Sequence, residues 1–290
     1  MVSISKETGI RVSKLSSLIS SAMERGVVTK TLLIPLHLLS SGISISLVEM
    51  NQKTKVERCI IDSRHVILTY VTIESRVRLI MYLRGVYDIT DFQDIVNLDI
   101  CKPIEVAKVD GVVIADYDPH RRVFITEKMA NPQELYIDDV DEYLAIQLFK
   151  IFSPPVFTKW SFVDLVRIFS DQLGEKTARY HLYKHVLKLA KKRYVKKTSG
   201  TYGLLWFNTD SIASLTQLLT ELANAEIVIG VNRIDTYSTY PFMGVAHVWI
   251  NLSRYTSPLV THDFVENTSY HIFVPQIIAG IPRLANPPFK

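Results

Sequence analysis

Residues 176–195 read KTARYHLYKHVLKLAKKRYV, and this stretch decides the fold more directly than any other. Its apolar residues recur at spacings of four, four and three positions, which places them on one face of a helix. These residues are Ala178, Leu182, Val186 and Leu189. Basic and hydroxyl side chains occupy the opposite face, and acidic residues are lacking from 176 to 206. The pattern predicts an amphipathic helix from Glu175 to about Lys192, with one buried stripe and one positively charged face.

Two further helices are predicted upstream of this one. The first covers Val140–Phe152, and Pro154-Pro155 ends it because proline cannot continue a helix. The second begins at Ser161, whose hydroxyl is suited to cap a helix N-terminus, and Gly174 marks the turn that follows. Three consecutive helices of this kind are the first part of a winged helix-turn-helix domain, which we predict over 138–208.

A two-stranded wing is predicted to complete this domain. Its strands are Tyr194-Val195 and Leu204–Phe207, and residues 196–202 form its tip. A recognition helix lies in the major groove with its N-terminal residues nearest the base edges, where arginine or lysine can pair with guanine. Later lysines and the wing tip can hold phosphates. The predicted DNA-binding residues are Lys176, Thr177, Arg179, Tyr180, Lys184, Lys188, Lys196, Lys197 and Ser199.

The stretch resembles the corresponding run of winged helix regulators, in which the pattern T-v-r-x-H-L-x-x-L-x-x-x-G-x-V is expected. Arg193 stands where that family usually has glycine. The resemblance implies a sequence-specific DNA-binding transcription regulator. Two alternatives stay open. The basic helix face can be an ordinary solvated face, or the winged helix can contact only protein.

Residues 4–28, ISKETGIRVSKLSSLISSAMERGVV, resemble the helix-turn-helix of the Lrp/AsnC regulators. The resemblance implies a truncated helix-turn-helix over 1–29, because the usual first helix has no room before Ile4. Its implied DNA-facing residues are Arg11, Ser13, Lys14 and Ser17. Its implied core residues are Ile4, Ile10, Leu15, Leu18, Ile19 and Val27. A helical hairpin that packs on a sheet and serves dimerisation is the alternative.

Strand signals dominate the segment that follows. Alternating apolar residues at 66–70 and 77–83 predict two strands, and 111–115 predicts another. Asp88–Val96 is expected to form a short helix. In the Lrp/AsnC family such a segment is a βαββαβ module that senses a ligand and dimerises, and we assign this role to 30–130.

A second module of this kind is predicted over 209–290, with an irregular tail. It contains a helix at 211–225 and strand candidates at 226–231, 245–252 and 270–274. The order helix-turn-helix, α/β, helix-turn-helix, α/β indicates a duplicated plan. The predicted fold class is therefore α+β, with winged helix-turn-helix domains combined with small ferredoxin-like α/β modules.

Composition describes a folded protein of 290 residues, with 48% hydrophobic and 21% charged residues and a net charge of +4. Cys59 and Cys101 are far apart and in no C-x-x-C pair, which argues against a disulfide framework or a cysteine zinc site. Neither a signal peptide nor an apolar run long enough to span a bilayer is visible. We therefore expect a cytoplasmic protein that does not bind a membrane.

The sequence offers little support for catalysis. His181 and His185 have the spacing of a helical zinc pair, but no third ligand is evident. Another loose group, interpreted as ordinary residues, comprises His247, His262, His271, Asp263 and Glu266. Phosphate-loop, dinucleotide and serine-hydrolase motifs are absent. We expect no enzyme activity, no catalytic residues, no metal and no cofactor.

The expected partner is double-stranded DNA, bound by a homodimer, with a small-molecule effector in the α/β modules. Two other functions stay open. One is a plasmid- or virus-type replication initiator with paired winged helices. The other is an Lrp-like enzyme of the haem-precursor decarboxylase type, because Lrp-like α/β modules also occur in such decarboxylases.

Overall fold

The helices of the protein lie mainly in the middle of the chain. A computed structural model describes residues 5–6, 8–25, 27–51, 55–73, 76–86, 88–130, 136–154, 161–196, 200–224, 229–237, 242–250 and 268–279. The helices are α1 Val12–Glu24, α2 Asp139–Phe152, α3 Phe162–Leu173, α4 Glu175–His181 and α5 Ile212–Asn224. After α4 the helix continues through a π-helical turn, Leu182–Val186, into a last helical turn, Leu187–Leu189. Short 3-10 helices cover Leu36–Leu38, Val56–Arg58 and Ile89–Asp94.

Most strands belong to one large antiparallel sheet. In chain order the strands are β1 Val28–Leu33, β2 Ile43–Met50, β3 Val66–Ile73, β4 Val77–Arg84, β5 Cys101–Asp118, β6 Val123–Lys128, β7 Lys191–Lys196, β8 Thr201–Thr209, β9 Ile229–Tyr237, β10 Phe242–Ile250, β11 Ser269–Phe273 and β12 Pro275–Ala279. The large sheet has the order β11-β8-β10-β9-β5-β2-β4-β3-β12, and β6 pairs with β5. Its neighbouring strands are antiparallel. The α+β class predicted from the sequence is confirmed.

Each half of the chain contributes four strands in the same spatial order. The first module is β5-β2-β4-β3, and the second is β11-β8-β10-β9. Numbered within each module, both orders are fourth, first, third, second, which is the order of a ferredoxin-like βαββαβ unit. The repeated order agrees with a duplicated plan, although the two halves share little obvious sequence.

The last strand of each module extends to the other module. The 101–108 part of β5 pairs with β2, whereas 109–113 pairs with β9 of the second module. Likewise β11 pairs with β8, and β12, one residue further along the chain, pairs with β3 of the first module. Backbone hydrogen bonds therefore join the two modules at two places. As a result β3 and β9, the second strand of each module, are both paired with a strand from the other module and are not open edges.

A separate two-stranded ribbon corrects the predicted wing. β7 pairs with β1, in a register that runs from Val28 opposite Lys196 to Leu33 opposite Lys191. It does not pair with β8, which is the first strand of the second module and lies between β11 and β10. The expectation of a wing hairpin from Tyr194-Val195 and Leu204–Phe207 is wrong because a partner about 160 residues away in sequence takes its place.

The same pairing shortens the third predicted helix. We expected it to extend to about Lys192, but its last turn ends at Leu189 and β7 begins at Lys191. Asp88–Val96, expected as a short helix, contains the 3-10 helix Ile89–Asp94. The ends of these two helices depend on tertiary hydrogen bonds, which cannot be predicted from local sequence periodicity.

Helix α2 is anchored on the first module through Glu142. Its carboxylate accepts hydrogen bonds from the backbone N–H of Ser41 at 3.2 Å and from the hydroxyls of Ser40 and Ser41. The Arg84 guanidinium lies 2.9 Å from the same carboxylate. The buried apolar face of α2 packs in one cluster with α3, α4 and strands of both modules.

The two cysteines form a disulfide, which corrects the expectation that no disulfide is present. Cys59 and Cys101 are fully buried, and their Cα atoms lie 5.8 Å apart although 42 residues separate them. They belong to the apolar cluster that covers the outer side of the first module, together with Phe92 and Val96. The fold brings the start of β5 beside the 3-10 helix that precedes Cys59, a proximity that sequence spacing does not show.

Two residues expected in the core of the N-terminal helix-turn-helix are exposed. Leu18 is 51% exposed and Val27 is 46% exposed, whereas Leu15 is buried as expected. Ile4 lies outside the described residues. Within the described residues, no helix has the length and apolar character to cross a membrane.

Candidate nucleic-acid interface

Helices α3 and α4 are joined by a single glycine. Gly174 has a φ of 76°, a left-handed value that favours glycine, and its N–H donates to the Ser170 carbonyl at 2.9 Å. At the start of α3, the Ser161 hydroxyl accepts from the Asp164 N–H at 3.2 Å, and the Asp164 carboxylate accepts from the Ser161 N–H at 2.8 Å. This reciprocal cap fixes where α3 begins. The predicted cap and turn are confirmed.

The predicted buried stripe of α4 and its continuation is also confirmed. Its four apolar residues are each at most 4% exposed. Ala178, Leu182 and Val186 pack in the same cluster as the inward face of α3, which includes Leu165 and Phe169. Burying one complete side of this helix leaves its opposite side to solvent.

The exposed side contains the residues predicted to contact DNA. Those of the helix are Lys176, Thr177, Arg179, Tyr180, Lys184 and Lys188, and all of them are exposed. The structure adds Tyr183, which is 62% exposed and was not predicted. The Lys184 ammonium lies 6.0 Å from the centre of the Tyr183 ring. A basic face interleaved with exposed aromatic rings therefore runs along this helix.

A shallow groove lies along this basic and aromatic face. Its lining residues are Phe162, Lys176, Arg179, Tyr180, Tyr183 and Lys184. Among the described residues, the acidic partner of this face is Glu175, whose carboxylate lies 2.7 Å from the Arg179 guanidinium. Both side chains are more than half exposed, so this ion pair is weak and can exchange for a phosphate. The groove can accept an anionic ligand that carries flat rings.

Most of the predicted wing tip cannot be placed relative to this basic face. Lys197 and Ser199 lie outside them, and Lys196 is described only through its backbone, as the last residue of β7. Arg193, on the same strand, donates to the Ala115 carbonyl at 3.1 Å and pairs with the Asp116 carboxylate. It therefore faces the sheet.

The N-terminal candidates lie on a different helix. Arg11 immediately precedes α1, and Ser13, Lys14 and Ser17 are on it; all four are exposed. α1 leads into β1, and the α4 helix leads into β7, the two strands that pair with each other. Both candidate helices are thus attached to the same two-stranded ribbon.

A histidine cluster lies directly behind the exposed face. His181 Nδ1 is 2.9 Å from one carboxylate oxygen of Asp141, and His185 Nδ1 is 2.7 Å from the other. The Tyr180 ring packs edge-on against both imidazoles, with centroid distances of 5.2 and 5.3 Å. The expectation that the two histidines have no third ligand is corrected, because α2 places Asp141 between them.

A second polar cluster lies where the two modules meet, and its central side chains are buried. The Arg233 guanidinium donates to Asp235 at 3.0 Å and contacts His247 Nε2 at 2.7 Å. Arginine has no acceptor, so Nε2 accepts, and Nδ1 carries the proton and donates to the Tyr202 hydroxyl at 2.7 Å. The Tyr82 hydroxyl donates to Asp235 at 2.7 Å. These contacts join β9 and β10 to β8 of the second module and to β4 of the first.

Burial and charge shift the pKa values in this cluster in opposite directions. Burial, together with the nearby guanidinium of Arg233, lowers the pKa of His247 to about 4. Burial raises the pKa of Tyr70, which packs beside His247, to about 12. Burial is the largest influence and opposes ionisation of Asp235, but Arg233 together with His247 and Tyr82 outweighs it and holds the pKa of that carboxyl below its usual range. Arg233 and Asp235 are therefore a charged pair, and His247 is neutral at pH 7.

Sequence reasoning missed most of this cluster. Arg233 and Asp235 are two positions apart on a strand, which places them on one face of it, and two opposite charges at this spacing are a usable signal. His247 was predicted only as an ordinary residue or as part of a loose metal group. Of that group, His271 lies on β11 with its ring 4.2 Å from the centre of Phe273. His262, Asp263 and Glu266 lie outside the described residues.

Comparisons with known proteins assign no family to this chain. No protein-family model and no curated protein matches it. The crystal structure of the siroheme decarboxylase NirDL is similar over 93% of this chain and 83% of that chain. The sequence identity is 9% and the TM-score is 0.36, so this likeness is too low to support an argument about fold or function.

Proposed function

We propose that this protein binds double-stranded DNA through the exposed face of α4 and regulates transcription. One observation carries the proposal. Six residues predicted from the sequence to contact DNA are all exposed on one helix whose opposite side is completely buried.

The arrangement of residue types along α4 suits groove binding. Lys176, Thr177, Arg179 and Tyr180 occupy its first turns, which a recognition helix places nearest the base edges. Lys184 and the later Lys188 are one and two turns further on, where they can contact phosphates. The positive helix N-terminus also favours the phosphate backbone.

The N-terminal helix α1 has the same kind of residues but fewer of them. Arg11 and Lys14 supply two positive charges beside two serines, and the exposed Leu18 interrupts that surface. We therefore assign the main contact to α4. A homodimer and a small-molecule effector remain predictions from the sequence.

The first test measures binding of the full chain to labelled duplexes from a pool of genomic fragments. Affinity for selected duplexes should fall steeply as salt rises, because bound lysine and arginine release counterions. Lys176→Ala combined with Arg179→Ala should weaken binding by about tenfold or more. Lys55→Ala with Lys102→Ala removes two exposed charges elsewhere and is the matched control. Equal affinity of the two double variants would contradict the proposal.

The selected fragments also separate a regulator from a replication initiator. A regulator should enrich a site of defined symmetry upstream of genes, whereas an initiator should enrich iterated repeats at an origin. Either result would support duplex DNA as the ligand and would differ only in the biological role.

The second candidate function is an enzyme of the haem-precursor decarboxylase type, and the buried cluster of Arg233, Asp235 and His247 is the observation that favours it. Strongly shifted pKa values concentrate at catalytic sites. In this structure, however, these side chains are at most 2% exposed and bond to one another. Mixing the purified chain with an iron tetrapyrrole tests this candidate, because a shift in the absorption bands that His247→Gln abolishes would support it.

A further inference from the structure

We propose that Asp141, His181 and His185 form a binding site for a divalent transition-metal ion, with Zn²⁺ as the best-matched ion. The inference goes beyond DNA binding and does not depend on it. Each residue offers one ligand atom, and these atoms lie within 4.8 Å of one another. Two imidazoles and one carboxylate are a common zinc ligand set, and water supplies the fourth position.

The charge balance of the cluster favours a cation. Asp141 is completely buried, and its ion pairs within the described part of the chain are with the two histidines alone. A buried carboxylate without a permanent positive partner is costly. A divalent ion would supply both a permanent positive charge and coordination to this carboxylate.

The helix is widened at the position that aligns the two histidines. The π-helical turn Leu182–Val186 begins directly after His181 and contains His185. A wider turn brings residues i and i+4 closer to direct alignment than an α-helix does, so both Nδ1 atoms reach the same carboxylate. Such π-helical turns are rare and often coincide with functional sites.

The site is sheltered and yet reachable. The side chains of His181 and His185 are 13% and 23% exposed, so an ion can enter from the solvent side. Asp138 lies beside the site, with a carboxylate oxygen 3.6 Å from His181 Nδ1. Bound through the two Nδ1 atoms and Asp141, the ion would fasten α4 to α2, and each imidazole would keep its proton on Nε2.

The experiment uses the full chain without an affinity tag, stripped of metal by a chelator. Calorimetric titration with Zn²⁺ gives stoichiometry and affinity, and the visible absorption of added Co²⁺ reports the coordination geometry. The variants are His181→Ala and His185→Gln, the second of which keeps an N–H donor for Asp141. His120→Ala removes an exposed histidine from a loop and is the matched control.

We expect one Zn²⁺ per chain and a tetrahedral Co²⁺ spectrum in the wild-type protein and in the control. Both cluster variants should bind Zn²⁺ at least about tenfold more weakly, since even residues that only support ligands have effects of this size. Wild-type protein without a Co²⁺ absorption band would overturn the proposal whether or not the variants fold. Equal Zn²⁺ affinity in wild type and folded His185→Gln would overturn it too and leave a purely structural hydrogen-bonded cluster.

Discussion

The two α/β modules share a strand order but differ in what covers their outer faces. In the second module, α5 follows β8 and buries Leu215, Leu218, Leu219 and Leu222 completely. In the first module, short 3-10 helices and the Cys59–Cys101 disulfide lie in the equivalent places. The outer face of such a sheet can therefore be covered either by an amphipathic helix or by short 3-10 helices that a disulfide holds in place.

The modules also differ in what they contribute to their joint. The second supplies Arg233, Asp235 and His247, whereas the first supplies the hydroxyl of Tyr82. The charged groups at the contact between the modules thus come from the second module, and the first module contributes a hydroxyl that hydrogen-bonds to them.

Asp235→Ala should have the largest effect on stability, because it leaves the Arg233 guanidinium buried without its carboxylate. We expect the free energy of unfolding, measured in urea, to fall by about 3–5 kcal/mol. The double variant Arg233→Met with Asp235→Ala should recover much of this loss, since it removes the unpaired charge. A loss below about 1 kcal/mol in the single variant would show that the pair does not hold the modules together.

Cys59→Ser should destabilise the first module selectively. Opening a loop of 42 residues lowers the free energy of unfolding by up to about 4 kcal/mol. Hydrogen exchange should rise in β2–β5 before it rises in β8–β11. A reductant should reproduce the effect in the wild type and leave the variant unchanged, and uniform exchange across both modules would contradict the asymmetry.

Low pH should lower the free energy of unfolding through protonation of His247, which lies at the contact between the modules. Its pKa is lowered to about 4, so between about pH 6.5 and pH 4 the unfolded chain binds a proton that the folded chain does not. The stabilising contribution is fully present above about pH 6.5 and falls by roughly 3 kcal/mol as the pH drops to about 4. Unfolding curves of wild type and His247→Gln across this range check it, and parallel pH dependences would refute it.

The sequence predicted best the features that depend on near neighbours. The α4 stripe, the cap at Ser161 and the turn at Gly174 follow from spacing and residue type, and all three are present. The β1–β7 ribbon and the Cys59–Cys101 bond join distant segments, so a wing was predicted and the disulfide was not.

The candidate sites divide in the same way. The exposed residues of α4 were predicted from one helix, whereas Asp141 reaches His181 from α2, 40 positions earlier in the chain. Arg233 meets Tyr82 across 151 positions. Such contacts depend on how the modules join, and local periodicity contains no information about that.

We infer that α4, and not α1, makes the main contact with DNA. The most direct measurement is the salt dependence of duplex affinity for wild type, the α4 variant Lys184→Ala/Lys188→Ala, which removes the two proposed phosphate contacts, and the α1 variant Arg11→Ala/Lys14→Ala. Each lost phosphate contact reduces the slope of log affinity against log salt by about 0.9. We predict a weaker affinity and a shallower slope for the α4 variant, with little change for the α1 variant. Unchanged affinity and slope in the α4 variant would contradict the claim.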